Sequence, residues 1–294
     1  MTLVGGVDIL GMARHGGYAV GGFDIFDLES VRAVIAAAEE ERSPVFLQAC
    51  VRSVEHLGFE RAALIMRNAA ERAAVPVAVH FDHGPEVTCI SDVVRAMEAG
   101  FTSVMVDGSR LPLKENIELT RKAVSLARRM TAAVEGEIGQ VGRVTGGRAD
   151  VVAEQMARSG DPRDWLTSPE EAGRFVAETG VDYLAVSVGS VSGSSSRLDL
   201  LQLHELAGVV AVPLVLHGGS GVPDEDLREA IGLGIAKVNI AHGVRRAFIR
   251  AMRDGLADGC NTDNPYALLS AGRAAMQSYV ASKIRQLHLV PRAS

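Results

Sequence analysis

A chain of 294 residues, 47% hydrophobic and 22% charged, can bury a large core, which excludes an intrinsically disordered protein and fits one α/β barrel. Its net charge of -6 argues against a nucleic-acid partner or an anionic membrane surface, and neither a membrane span nor a signal peptide is predicted. Cys50, Cys89 and Cys260 are scattered without a C-x-x-C pair and predict neither a disulfide framework nor a cysteine metal site, so we expect a cytoplasmic protein.

Short β-rich runs alternate with helical stretches along the chain. Eight runs indicate strands: 17–25, 44–50, 76–82, 102–107, 132–138, 182–188, 212–217 and 236–241. Most are nearly continuous apolar stretches, as strands covered on both faces require, and the segments between them have helical spacing. Eight βα units predict a (β/α)8 TIM barrel, with a doubly wound open sheet as the alternative.

Two segments depart from this alternation. Residues 139–167 form a connection after the fifth run that is too long for an ordinary βα turn and is typical of a loop that covers a site. From about residue 258 a helical pattern follows without a further strand, which predicts a C-terminal helical extension on the barrel or on a partner subunit. We predict a single domain over residues 1–294.

Polar side chains cluster where the predicted strands end. They are Asp82, His83, Asp107, Glu137, His217 and Asn239. In a parallel barrel these ends form one mouth, where active sites lie. Each residue alone is more often a helix cap than a ligand. Together, two histidines and a glutamate suit Zn²⁺, and a carboxylate beside one of them suits a base that acts on a metal-bound substrate.

The stretch "LHGGSGVP" at 216–223 adds a second feature of this mouth. Gly218, Gly219 and Ser220 follow a strand and precede a helix, so their backbone N–H groups are free to face an anion. A tight βα turn that needs glycine is the competing interpretation. The position beside His217, after the seventh strand of a barrel, favours a phosphate site.

Several motifs in order resemble the class II, zinc-dependent ketose-bisphosphate aldolases. These motifs are "HFDHG", "VEGEIG", "SPEEAGRFVAETGVDYLAVSVG" and "PLVLHGGSGVPDEDLREAIGLGIAKVNIA". The resemblance spans roughly residues 5 to 285 and is nearest to the fructose- and tagatose-bisphosphate types. It implies the (β/α)8 fold and reversible aldol cleavage of a small phosphorylated sugar by a homodimer or homotetramer.

The resemblance also implies roles for single residues. His83 and His217 match zinc ligands, and Glu137 matches a carboxylate that holds the ion in a buried position. Asp82 matches the acid/base on the C4 hydroxyl, while zinc polarises the ketone. Substrate and phosphate contacts are expected from Gly193, Gly218, Gly219, Ser220, Asn239 and His242.

The chain departs from the family pattern at this mouth. Ser192 stands where the family has a third zinc histidine, and serine is a poor zinc ligand. Asp24 replaces an asparagine, His242 replaces a threonine, and Arg197 is the nearest cation where the family has a phosphate-binding lysine. His242, His80 or a water on Ser192 could replace the missing ligand. The concentration of these changes in the mouth predicts an altered substrate.

Two alternatives to a metal-dependent aldolase stay open. One is an altered-function barrel enzyme, an isomerase or a metal-free lyase, that uses Asp82 and His242 as an acid/base pair. The other is a catalytically silent protein that binds a sugar phosphate. The presence of Asp82 together with Glu137 argues against the second, because a binding module needs no base beside a metal site.

Overall fold

The computed structural model describes residues 2–83, 89–145, 148–149, 154, 165–257 and 264–288. Eight strands form a closed parallel barrel: β1 (Val20–Asp24), β2 (Val45–Cys50), β3 (Val77–Asp82), β4 (Ser103–Val106), β5 (Ala133–Ile138), β8 (Tyr183–Val186), β10 (Leu214–Leu216) and β11 (Ile235–Ile240). A small second sheet contains β6 (Gly142–Thr145), β7 (Arg148–Ala149) and β9 (Val191–Ser192). The strand order β1-β11-β10-β8-β5-β4-β3-β2 confirms the predicted TIM barrel, and each predicted run overlaps one barrel strand.

Helices surround the barrel and follow its strands. In the described residues they are α1 (Gly6–Gly16), α2 (Leu28–Glu40), α3 (Val51–Leu57), α4 (Phe59–Arg72), α5 (Ile90–Ala99), α6 (Leu113–Met130), α7 (Pro169–Thr179), α8 (Leu200–Val209), α9 (Asp224–Gly232), α10 (His242–Ala257) and α11 (Pro265–Leu287). None of them, within the part of the chain described, combines the length and hydropathy needed to cross a bilayer.

Local sequence signals explain where several helices begin and end. At α2, the Asp27 carboxylate accepts from the Ser30 backbone N–H at 2.7 Å while the Ser30 hydroxyl accepts from the Asp27 N–H, a reciprocal cap. Helix α7 starts with Pro169 after the capping Ser168. It ends at Thr179 and is followed by Gly180, which takes the left-handed conformation that glycine adopts without steric cost.

The apolar core has two parts. The larger lies between the strands and the surrounding helices. The smaller fills the barrel interior, where Phe46, Met105 and Tyr183 pack against Ile9 and Leu10 of α1. Helix α1 therefore covers the amino-terminal end of the strands, and the carboxyl-terminal end is left for the polar side chains.

The C-terminal extension packs on the barrel. Helix α11 buries Met276, Val280 and Ile284 and lies against α2 and α10. Of the long connection at 139–167, the structure describes residues 139–145, 148–149, 154 and 165–167. The single-domain assignment stays a prediction.

Candidate active site

A cavity of about 130 Å³ opens at the carboxyl-terminal ends of the barrel strands. Its lining includes Cys50, Asp82, His83, His217, Asn239 and His242. These residues follow or end β2, β3, β10 and β11, which lie far apart in the sequence but on one side of the barrel. The structure therefore brings five of the predicted site residues to one mouth: Asp82, His83, His217, Asn239 and His242.

His83 and His217 face each other across this cavity. The Nε2 atom of His83 lies 2.9 Å from the Nδ1 atom of His217. His83 also has a backbone φ of 33°, in the left-handed region that residues with a side chain rarely adopt. Such strain is concentrated at functional sites, where the surrounding structure holds it in place.

Two carboxylates fix the outward nitrogens of these imidazoles. His83 Nδ1 lies 2.9 Å from Asp107 Oδ2, and His217 Nε2 lies 2.9 Å from Glu135 Oε1. Because a carboxylate oxygen only accepts, each of these ring nitrogens carries the proton. When both rings carry only that one proton, the two nitrogens that face each other both present lone pairs. A cation between them, or a shared proton, satisfies this arrangement.

Glu135 is held in turn by a buried lysine. Lys237 Nζ donates to Glu135 Oε2 at 2.6 Å, and both side chains are fully buried in the barrel. Burial favours the neutral acid, but Lys237 and the His217 hydrogen bond outweigh it and hold the pKa of Glu135 far below its usual value. The ionised Glu135 thus orients His217, as carboxylates behind metal-binding histidines commonly do.

Asp82 ends β3 and faces the cavity. Its Oδ1 accepts from the Asn239 side-chain amide at 3.0 Å. Burial raises the pKa of this carboxyl, but the neighbouring His83, His217 and Lys237 together lower it below the usual value. Asp82 is therefore an ionised base in contact with the space that a substrate would fill.

Glu137 lies close to both histidines but behind the cavity wall. Its Oε2 is 3.7 Å from His83 Nδ1 and 3.8 Å from His217 Nδ1, and the residue is almost fully buried. Three groups of described residues bring metal-ligating atoms within 4.8 Å of one another: Asp82, His83 and His217; His80, Asp82 and Glu135; and His83, Asp107 and Glu137. Asp82 thus shares a group with both histidines, whereas Glu137 shares one with His83 and Asp107.

His80 lies deeper in the barrel than this pair. Its Nδ1 pairs with the Ser103 hydroxyl at 2.6 Å, and Ser103 also contacts Tyr183. Its Nε2 lies 3.6 Å from Glu135 Oε2. Full burial, followed by the charge of Lys237, lowers the pKa of His80 to about 3, so the ring is neutral. The contacts with Ser103 and Glu135 make His80 part of the buried network beneath the mouth.

Ser192 and His242 lie together at the other side of the mouth. The Ser192 hydroxyl is 3.4 Å from His242 Nδ1, which is long for a hydrogen bond. Both residues line the cavity with His217. His242 is in none of the ligand groups found among the described residues, so its service as a replacement ligand stays a prediction.

The predicted phosphate loop has the backbone that its glycines require. Gly218 has a φ of 74°, and a 3-10 turn spans Gly219–Gly221. A Cβ on Gly221 would lie 1.8 Å from the Ser194 carbonyl oxygen, so only glycine fits there. Gly218 and Ser220 line the cavity, whereas the described lining includes neither Gly193 nor Gly219. Phosphate contact at these positions stays a prediction.

Arg197 does not reach the cavity lining that the structure describes. Its guanidinium pairs with Glu225 at 2.5 Å and with Asp226 at 3.0 Å at the protein surface. A different cation, Arg245, lies at the mouth, where it lines the cavity and forms an ion pair with Asp24.

Sequence reasoning missed the buried Glu135 and Lys237. A signal for both was present in the sequence, because charged or polar residues at positions i and i+2 of an apolar strand point to the same face. Glu135 precedes Glu137 in this way, and Lys237 precedes Asn239. Inside a barrel such charges must pair with each other.

A model of the family described as fructose-bisphosphate aldolase class-II matches residues 5–290. A fructose-bisphosphate aldolase of Geobacillus stearothermophilus is 36% identical over 292 residues, 97% of each chain. A 6-phospho-5-dehydro-2-deoxy-D-gluconate aldolase of Shouchella clausii is 38% identical and covers 97% of this chain and 94% of its own. The solved structure of the YdjI aldolase from Escherichia coli K12 superposes with a TM-score of 0.82 at 31% identity, over 97% of each chain.

Proposed function

The chain belongs to the class II fructose-bisphosphate aldolase family, and on this premise we propose that it cleaves an acidic ketose phosphate with a zinc ion at His83 and His217. The family activity, an aldehyde-lyase reaction, is reversible aldol cleavage. The facing pair of imidazole nitrogens, 2.9 Å apart with their other nitrogens bound to carboxylates, carries the proposal of a metal.

The donor set fits zinc by its chemistry. Two neutral imidazoles and a carboxylate are a common protein ligand set for catalytic zinc, with a further position left for water or substrate. We assign the carboxylate to Glu137, because Asp82 faces the cavity and Glu137 lies behind its wall. Although Ser192 replaces a histidine, His83, His217 and Glu137 still make up the three protein ligands of a catalytic zinc site.

When bound, zinc would supply a Lewis acid that polarises the ketone carbonyl of the substrate. Asp82 accepts the proton of the hydroxyl on the carbon beyond the bond that breaks, and it returns the proton in the reverse direction. The Asn239 amide holds Asp82 in place. The Gly218 to Ser220 loop positions a phosphate at one end of the substrate.

The relatives support a proposal for the substrate class. The substrates in the names of the two relatives, a fructose bisphosphate and a phosphorylated gluconate derivative, each carry a phosphate and a second acidic group. We propose a ketose phosphate with two acidic ends for this chain. The departures at Ser192 and His242 indicate that it differs from those two substrates in detail.

Elemental analysis of the protein purified without added metal tests the proposal. We expect near-stoichiometric zinc in the native protein and its loss in His217→Ala, because that change removes one of the two imidazole ligands. A Ser192→His variant serves as a gain-of-ligand control and should retain the metal. Absence of zinc in the native protein with binding in Ser192→His would overturn the metal-dependent mechanism.

A further inference from the structure

We infer that Tyr279 is a positioning residue for the phosphate loop, and that its phenol hydroxyl directs the Ser220 hydroxyl toward the bound phosphate. This inference rests on the phosphate site of the proposed function and adds to it a residue from the C-terminal extension. The ligand chemistry is the phosphate of a ketose phosphate, on which Tyr279 acts through Ser220.

Tyr279 lies on α11, and its side chain reaches the loop that follows β10. The Tyr279 hydroxyl forms a hydrogen bond with the Ser220 side chain. A Cβ on Gly243 would lie 1.8 Å from the same hydroxyl oxygen, so Tyr279 also lies directly against the first turn of α10. The hydroxyl is therefore enclosed between the phosphate loop and the helix that follows β11.

The packing of α11 holds the Tyr279 ring at this place. Met276 and Val280, on the same helix, are fully buried, and Tyr279 itself packs against the larger part of the core. The phosphate loop is held from the other side, because Gly219 lies close to Val238 of β11. Tyr279 thus presents its hydroxyl to Ser220 in a fixed direction.

The chemistry of the three groups sets the direction of their hydrogen bonds. An ionised phosphate oxygen only accepts, so Ser220 must donate its single proton to a bound phosphate. The Ser220 oxygen then has lone pairs that need a donor, and the Tyr279 hydroxyl supplies one. Burial raises the pKa of Tyr279, so the phenol keeps its proton at neutral pH. In such a chain each hydrogen bond polarises the next and strengthens it.

Tyr279 acts on the phosphate indirectly. Ser220 lines the mouth cavity, whereas the lining that the structure describes does not include Tyr279. Tyr279 lies instead on a groove between α10 and α11, which Gly243 also lines. Loss of its hydroxyl should therefore weaken phosphate binding and leave the reacting atoms beside Asp82 unaffected.

Binding of dihydroxyacetone phosphate, measured by isothermal titration calorimetry, tests the inference. Tyr279→Phe keeps the ring and removes only the hydroxyl, so it should raise Kd roughly 3- to 10-fold through the loss of one neutral hydrogen bond. Ser220→Ala should raise Kd roughly 10- to 100-fold, because a hydrogen bond to a charged phosphate is lost. In the Ser220→Ala background, Tyr279→Phe should change Kd less than about twofold, because no serine hydroxyl is left to direct.

Exchange of the C3 proton of dihydroxyacetone phosphate in D2O separates positioning from chemistry. Tyr279→Phe should raise KM for exchange by the same factor as Kd and change kcat less than about twofold, because Tyr279 contacts none of the reacting atoms. The control Tyr18→Phe removes a tyrosine hydroxyl at the amino-terminal end of the barrel, where the ring packs against His288. This change should alter neither Kd nor KM.

An unchanged Kd in Tyr279→Phe, or the same loss in the native and Ser220→Ala backgrounds, would overturn the inference. An equal loss in Tyr18→Phe would also overturn it, because the effect would then not depend on the phosphate loop. A native protein that binds dihydroxyacetone phosphate without exchange contradicts the proposed reaction alone, and the comparison of Kd values still decides the role of Tyr279. A native protein that neither binds nor exchanges it overturns the proposed function and the inference with it.

Discussion

Asp82 is the residue whose charge state decides the chemistry of the mouth. Its carboxyl pKa lies below the usual value because His83, His217 and Lys237 together outweigh the cost of burial. A base of this kind stays ionised through neutral pH. Activity that depends on it is therefore present above the usual carboxyl range and is lost only when the pH falls through the lowered pKa.

Asp82→Asn should lower kcat about 10²- to 10⁴-fold, because the amide cannot take up the hydroxyl proton. The side chain keeps its size and an oxygen that accepts from Asn239. Steady-state kinetics and metal analysis on the same samples check the prediction. Retained zinc with lost kcat supports the assignment, and an unchanged kcat would remove Asp82 from the mechanism.

Lys237→Met should destabilise the fold by about 3–5 kcal/mol, because the buried charge of Glu135 keeps the His217 hydrogen bond but loses its cationic partner. The folded-state pKa of Glu135 is lowered in the native protein, so its contribution to stability is present above the unfolded-state value and lost at lower pH. In the variant the buried acid favours protonation. Denaturant unfolding should therefore show a smaller loss near pH 5 than near pH 8.

Glu135→Leu combined with Lys237→Met separates stability from metal binding. Replacing both members of a buried pair by apolar groups is often neutral for stability, so most of the lost free energy of unfolding should return. Zinc affinity should stay about 10- to 100-fold weaker, because His217 loses the carboxylate that orients it. Chelator competition measures the affinity. Full recovery of zinc binding in the double variant would contradict this role for Glu135.

At the scale of elements, the loop between β10 and α9 depends on glycine for its shape. Gly221→Ala would place a Cβ 1.8 Å from the Ser194 carbonyl oxygen, so the two loops must separate. We expect a loss of about 1–3 kcal/mol in the free energy of unfolding, together with a higher KM for the phosphorylated substrate. In the control Gly208→Ala, an exposed glycine of α8 with no atom within 4 Å of the added Cβ, neither quantity should worsen. An unchanged KM in Gly221→Ala would argue against phosphate binding here.

The barrel strands could be predicted from the sequence because the signal is local. A strand such as β2, buried along nearly all of its length, must be apolar on both faces, and "PVFLQAC" shows this directly. The same preference of buried strands for apolar residues made part of the site difficult to predict from the sequence. Lys237 lies in an apolar run, and only knowledge of the barrel interior shows that it meets Glu135 across 102 positions of sequence.

At the scale of the whole molecule, closure of the barrel determines which distant residues meet. β1 pairs with β11, so the first and last strands are neighbours. This pairing brings Asp24 to Arg245, which lies 221 positions later. No periodicity or motif relates two such positions, because their proximity comes from the closed topology. The family resemblance identified Asp24 as a departure from the family pattern, but it did not identify Arg245 as the residue that Asp24 contacts.

The two C-terminal helices carry exposed apolar side chains that bear on the assembly of subunits. Helices α10 and α11 leave Ile249, Leu256 and Tyr266 exposed, at 54%, 51% and 81%. We predict a homodimer or homotetramer that buries these side chains, because apolar groups of this size on neighbouring helices favour contact with another subunit. Ile249→Asp with Tyr266→Asp should lower the mass in sedimentation or light-scattering measurements to that of a monomer. The control Leu201→Asp, on α8 with a side chain that is 71% exposed, should leave the mass unchanged. A native monomer, or equal effects of both changes, would contradict an interface on α10 and α11.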